Sequence, residues 1–140
     1  MKALSIKQPW AWAILHAGKD IENRSWSTSH RGLIAVHAGL EIDKVALHAF
    51  REAGYPIPDE LPTGCFLGTV RIVDVVGQSA SEWFQGPLGF VLRDPVPFDK
   101  PIAGRGRLSL FTPSPQEILK IQIGANWAAF EMAEPERARP

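Results

Sequence analysis

Two cations and two carboxylates, Lys19, Asp20, Glu22 and Arg24, crowd into the stretch GKDIENRSW, residues 18–26, after an apolar run, and Lys19, Glu22 and Arg24 form its motif. Held in a concave site, such charges orient a polar ligand. The ammonium and guanidinium grip phosphate or a base carbonyl, and the carboxylate orients Arg24 and accepts from an exocyclic amine. In a catalytic reading, a desolvated Lys19 has a lowered pKa and acts as base, or Glu22 activates water, while Arg24 stabilises developing negative charge. As an exposed ion pair the same residues would contribute only about 0–1 kcal/mol, which explains the cluster poorly unless it is buried. Aromatic rings flank it: Trp10 beside Gln8 and Pro9, and Trp26 in line with Glu22 and Arg24. Single-stranded nucleic acids stack bases on such rings while Lys and Arg hold the backbone; ordinary core packing is the competing role for either ring. The GRGR run supplies Arg105 and Arg107, with glycines that let a backbone approach phosphate; a solvated surface turn is the competing role. The candidate site is therefore Gln8, Trp10, Lys19, Glu22, Arg24, Trp26, Arg105 and Arg107, provided the two segments meet in the fold.

Other chemistries find less support. There is no His-Glu-x-x-His and no cysteine pair, and His30 and His37 stand seven apart without a familiar ligand spacing, so no dedicated metal site or cofactor is expected; a divalent ion held transiently by Asp20, Glu22 and a phosphate stays open. His37 is expected to be a strand histidine bonded to backbone. Gly-x-Ser-x-Gly is absent, and the single Cys65 opens an apolar stretch where a buried, inert thiol is expected. The fifteen basic and fifteen acidic residues cancel, which excludes a generally basic surface and leaves room only for a local basic face. The N-terminal run carries Lys7, Gln8 and Pro9 and reads poorly as a signal peptide, and no segment suits a bilayer; a cytoplasmic protein is the expectation.

The elements that must position these residues can be read from pattern. Residues 2–6 suit a strand and QPWAWAILHAG a short helix with Pro9 in its first turn and Gly18 as its stop. If DIENRSW is extended, Asp20, Glu22, Arg24 and Trp26 point one way and Ile21, Asn23 and Ser25 the other. A strand over 32–39 and a helix over 42–53 follow. Residues 65–77 form the clearest strand, apolar on both faces, with Gly68 suited to a bend or bulge as in a small closed barrel. Shorter strands are expected at 88–93 and 107–111, with the proline- and glycine-rich stretch between them irregular. Ser114, Pro115 and Glu117 start a helix with a capping box, NWAAFEMA adds a last turn or two, and EPERARP is a fraying tail. Trp12 and Trp83 are expected to pack in or near the core, and Trp127 to pin the last helix. The 140 residues suit one domain, with about 113–140 as its helical extension, and the simplest arrangement is α+β: a β-barrel with appended helices.

At this point the sequence resembles a family. SIKQPWAWAIL, GKDIENRSW and HRGLIAVHAG match the signature of the ASCH domain, the activating-signal-cointegrator homology family, whose core motif is Gly-x-Lys-x-x-Glu-x-Arg. Here Gly18 directly precedes Lys19, a contraction by one residue that preserves the spacing of Lys19, Glu22 and Arg24. LPTGCFLGTVRIVDVV, GPLGFVLRDPVPFDKPI and GRGRLSLF extend the resemblance to about residue 112. It implies a PUA-like β-barrel with a helix after the first strand, and a cleft between the two lined by Lys19, Glu22 and Arg24. It also implies a nucleic-acid binder, most simply of single-stranded RNA. The family further includes members linked to ribonuclease activity and small hydrolases of the N4-acetylcytidine amide. In the latter a Thr stands near the position of Glu22, and Glu22 cannot act as that hydroxyl nucleophile.

Overall fold

The structure, a computed structural model, describes residues 1–133, with side chains described through Asn126. The side chain of Trp127 and the tail at 134–140 lie outside the described residues. The elements run β1 (Lys2–Gln8), α1 (Trp10–His16), β2 (Ile21–Arg24), β3 (Gly32–Ile42), α2 (Lys44–Glu52), β4 (Cys65–Val76), β5 (Leu88–Ala103), β6 (Leu110–Phe111) and α3 (Pro115–Ala133). One six-stranded sheet has the order β2-β5-β4-β3-β1-β6, in which only β1 and β3 pair in parallel. This is α+β architecture, and the sheet curls into a half-barrel. β2 and β1 are far apart in strand order, yet Arg24 Nη2 on β2 donates to the Ser5 carbonyl on β1 (3.0 Å). That carbonyl lies past the end of β6, which pairs only with Ala3 and Leu4.

Period-two alternation sends side chains to two separate cores. Leu4, Ile6, Ile34, Val36, Val70, Ile72, Phe90 and Leu92 point into the curl and close on Ile14 of α1. Ala3, Ala35, Phe66, Phe98 and Phe111 lie on the other face, covered by Ile121 of α3. Phe66 and Val70, four residues apart, should share a face; a register shift between Phe66 and Gly68 reverses the parity. A Cβ on Gly68 would lie 2.5 Å from the Val96 carbonyl oxygen and 2.8 Å from Leu15, so only glycine fits at this bulge. β4 is apolar on both faces because α3 covers the face turned away from the curl. A third cluster joins α1 to α2 through Trp12, Ala13 and Phe50. Each large apolar side chain so buried contributes about 1.5–3 kcal/mol.

Three expected boundaries change. The stretch after residue 93 is not irregular: β5 continues through Ala103 despite Pro95, Pro97 and Pro101. β2 pairs only with Leu88–Val91, so beyond Val91 this strand is an edge on one side, where a residue lacking N–H costs no ladder bond. The expected strand at 107–111 shortens to Leu110–Phe111, preceded by Ser109 at φ 58°. NWAAFEMA is no separate turn but the continuation of α3, whose Gly124 lets the helix approach Phe98 closely. The helix begins with the expected capping box: Ser114 N–H donates to Glu117 Oε1 (2.8 Å) and Glu117 N–H to Ser114 Oγ (3.2 Å).

Candidate functional site: two cavities on either side of Glu22

α1 ends at Ala17, and Gly18 turns the chain at φ 74°, a conformation glycine adopts without a Cβ penalty. The Lys19 N–H returns to the Ala13 carbonyl (3.1 Å), and its side chain enters the interior, leaving the residue 4% exposed. There Nζ donates to the Ile21 carbonyl and to Glu22 Oε1, the latter at 3.3 Å. The other carboxylate oxygen of Glu22 accepts from Arg24 Nε (3.1 Å) and Nη2 (2.9 Å). The cluster is thus a row, Lys19–Glu22–Arg24, buried at Lys19 and Glu22 and half-buried at Arg24, with the single carboxylate held between two cations. Burial lowers the Lys19 pKa, and the Glu22 carboxylate opposes that shift. Such a row costs desolvation as well as gaining attraction, so stability alone explains it poorly.

The row separates two concavities. The first, about 440 Å³, lies between α1, α2 and the loop at 82–85; Lys19 and Glu22 line it together with Trp10, Phe50, Tyr55 and Trp83. Its carboxylates are Glu22, Asp43 and Glu82, against the one ammonium of Lys19. The second, about 800 Å³, lies between β1, the end of β3 and the loop at 104–109. Lys7, Arg24, Arg105 and Arg107 line it, against the one carboxylate of Glu41. The expected meeting of the early basic segment with GRGR therefore takes place, but at the second cavity. The single basic cleft against the first helix is corrected to an acidic, aromatic cavity there and a basic groove beyond Arg24.

Other expected residues find individual places. Gln8 is 0% exposed and lines neither cavity. Its Oε1 accepts from the Trp12 N–H (2.9 Å), capping the first turn of α1, and its Nε2 donates to the Pro62 carbonyl (2.9 Å). Its expected contact with nucleic acid is therefore corrected: the side chain has no free surface. Trp10 walls the first cavity, lies 5.7 Å from Lys19 Nζ, and donates from Nε1 to Asp43 Oδ2 (3.3 Å). Trp26 lines neither cavity; it stands edge-on to Phe90 at 5.2 Å, with the Arg24 guanidinium 6.0 Å from its ring. Asp20 turns away to accept from Ser81 Oγ (2.5 Å), and no cluster of three metal-ligating side chains occurs among the described residues. Cys65 is buried, and burial raises its pKa.

His37 is 1% exposed and bonded at both ring nitrogens. Nε2 lies 2.8 Å from the Gly104 carbonyl, which can only accept, so Nε2 carries the proton and Nδ1 accepts from Ser5 Oγ (3.0 Å). This pins the loop that presents Arg105 and Arg107. Gly106 packs against the same pair: a Cβ there would lie 2.7 Å from Ser5 Oγ and 2.8 Å from the His37 ring.

Several lining residues escaped the sequence reading. Asp43 comes from the N-cap of the second helix, Phe50 from the helix and Tyr55 from the loop after it, and Asp43 had a local role as that cap. Trp83, expected in or near the core, is half-buried and walls the first cavity; the adjoining Glu82 and nearby Gln85 were the available signal. Asn23 holds that wall, donating to the Trp83 carbonyl (3.0 Å) and accepting from Gln85 N–H (2.8 Å) and Gly86 N–H (3.0 Å).

Comparison with known proteins agrees with this architecture. The fold is that of a PUA-like ASCH domain: a solved structure, the crystal structure of ASCH from Zymomonas mobilis, superposes with a TM-score of 0.55 over 87% of this chain and 93% of that one, at 17% identity. The family model for the ASCH domain matches residues 4–132, and the chain belongs to that family. Among curated proteins, activating signal cointegrator 1 of Homo sapiens is 29% identical over 108 residues, covering 66% of this chain and 19% of the human protein. The Mus musculus protein of the same name is 32% identical over 83 residues, covering 54% of this chain and 14% of its own length. The chain thus spans under a fifth of either relative.

Proposed function

We propose that this protein binds single-stranded RNA, with the phosphodiester backbone in the basic groove formed by Lys7, Arg24, Arg105 and Arg107. The observation that carries this reading is the convergence of those four cations, from β1, β2 and the 104–109 loop, around one groove in a chain with no net charge. Arginines grip phosphate oxygens bidentately, and neutralising phosphates releases counterions, so affinity falls as salt rises. Leu40 and Leu108, 82% and 93% exposed, line the same groove and offer apolar contact to unpaired bases, which a duplex would keep stacked. Membership of the ASCH family, which is linked to RNA binding, points the same way.

Hydrolysis of RNA or of a modified nucleoside has less support. Burial lowers the Lys19 pKa, as a general base requires, but Lys19 already donates to Ile21 and Glu22, and both oxygens of Glu22 face cations. Fluorescence anisotropy with a labelled single-stranded RNA, titrated at several salt concentrations, tests the binding reading. Weak, salt-sensitive binding is expected, and changing Arg105 and Arg107 to Ala reduces the salt slope by about 0.7 for each phosphate no longer neutralised. Affinity indifferent to salt and to both changes would overturn it. Gel analysis of the same RNA after incubation separates binding from cleavage.

A further inference from the structure

We propose that the cavity walled by Trp10, Phe50, Tyr55 and Trp83 is a pocket for one nucleobase, selecting rings whose edge presents amino hydrogens or positive charge, so that adenine and cytosine are taken over uracil. That the ring is a nucleobase rests on the RNA reading; its preferred edge chemistry follows from the cavity itself.

The walls supply faces for a flat ring. Phe50 lies nearly parallel to Trp83, with centroids 6.1 Å apart and planes at 21°, and meets Trp10 edge-on at 5.5 Å and Tyr55 edge-on at 4.8 Å. Phe50 is buried, whereas Trp10, Tyr55 and Trp83 are half-buried and keep ring surface turned to the cavity. Stacking on such rings is indifferent to base identity, so selection must come from the polar lining.

That lining is made of acceptors held in place. Asp43 is fixed by Ala46 N–H on Oδ1 (3.0 Å) and Trp10 Nε1 on Oδ2 (3.3 Å), and Glu22 by Lys19 and Arg24. A carboxylate oxygen has two acceptor sites, so both Asp43 oxygens and Glu22 Oε1, which carry one bond each, can accept once more, whereas Glu22 Oε2 is filled by Arg24. Glu82 adds a third, exposed carboxylate. Ionised carboxylates only accept, so they favour the amino groups of adenine and cytosine and the charge of an N-methylated purine. Uracil's N3–H is flanked by two carbonyl oxygens that would face the same carboxylates, and a phosphate would be repelled. The Arg24 guanidinium, bonded to the other oxygen of Glu22, lines the groove, which places the proposed phosphate-binding groove next to the cavity.

Nucleosides, which carry no phosphate, test the pocket apart from the groove. Cytidine, adenosine, uridine and cationic 7-methylguanosine are titrated into the intact protein, followed by tryptophan fluorescence and by the indole N–H resonances. Cytidine, adenosine and 7-methylguanosine are expected to bind about tenfold or more tightly than uridine, the effect of one hydrogen bond to a charged acceptor, with little dependence on salt. Glu82→Gln, an exposed change that leaves the fold intact by circular dichroism, is expected to narrow that ratio, and Trp83→Ala to weaken every nucleoside. No saturable nucleoside binding, equal affinity for uridine and cytidine, or a ratio unmoved by Glu82→Gln overturns the proposal. RNA binding that persists without nucleoside binding refutes the pocket and leaves the groove reading intact; nucleoside selectivity without RNA binding refutes the groove alone.

Discussion

The cavity beside α1 and the groove beside the 104–109 loop meet at Glu22 and differ in almost every other respect. One is lined by aromatic rings and three carboxylates against a single, internally bonded ammonium; the other by four cations, two exposed leucines and a single carboxylate. A motif of two cations and one carboxylate does not by itself make a basic site. Lys19 is buried and faces the acidic cavity, whereas Arg24, paired with the same carboxylate but half-buried, lines the groove. The same residues read as a ligand grip in sequence act in the fold as a partition, and the other cations of the groove come from β1 and the 104–109 loop.

Removing the partition has the largest expected effect. Glu22→Gln leaves the buried Lys19 and the half-buried Arg24 facing a neutral amide, and breaking the buried Lys19 pair in this way costs about 3–5 kcal/mol. Urea unfolding measures it, and a destabilisation below about 1 kcal/mol would mean that the row is solvated, as exposed pairs are. Gly106→Ala acts on one side alone: its Cβ meets Ser5 Oγ and the buried His37 ring, so overpacking costs about 1–3 kcal/mol and displaces the loop bearing Arg105 and Arg107. RNA affinity is expected to fall while nucleoside binding in the aromatic cavity is unchanged; parallel titrations check both, and equal weakening at the two sites would show them to be one.

A smaller effect follows from Lys19 itself. Because burial lowers its pKa from 10.5, the unfolded chain holds a proton that the folded chain lacks over the interval between the lowered value and 10.5. Stability contributed by this group therefore rises with pH across that interval and falls as pH is brought down through it. Relative to Lys19→Met, which has no proton to lose, the wild type should gain stability as pH approaches 10.5; a gain on acidification would contradict the buried position. The smallest effect belongs to Lys7, whose 3.3 Å pair with Glu41 is solvent-exposed. Lys7→Ala should change stability by no more than about 1 kcal/mol while weakening RNA binding and lowering its salt slope, which separates a groove cation from a structural one.

Much of this was legible along the chain. The helix after the first strand, the alternation that places Glu22 and Arg24 together, and the capping box at Ser114 all depend on residues within a few positions of one another. Gln8 shows where such reading stops. Next to Pro9 and Trp10 it resembles a surface recognition residue, but a carbonyl 54 positions away takes its amide. The continuation of β5 through three prolines was equally hidden, since it depends on where the partner strand β2 ends.

By itself the sequence determined the types of its elements, the spacing of Lys19, Glu22 and Arg24, and membership of the ASCH family, because backbone propensity and side-chain period act over one or two turns. Only the tertiary structure decided which cations line the groove, which rings face a cavity, and that two cavities lie on either side of one carboxylate. Those outcomes rest on contacts such as His37 with Gly104, 67 residues apart, and on a desolvation that is set by burial rather than by spacing.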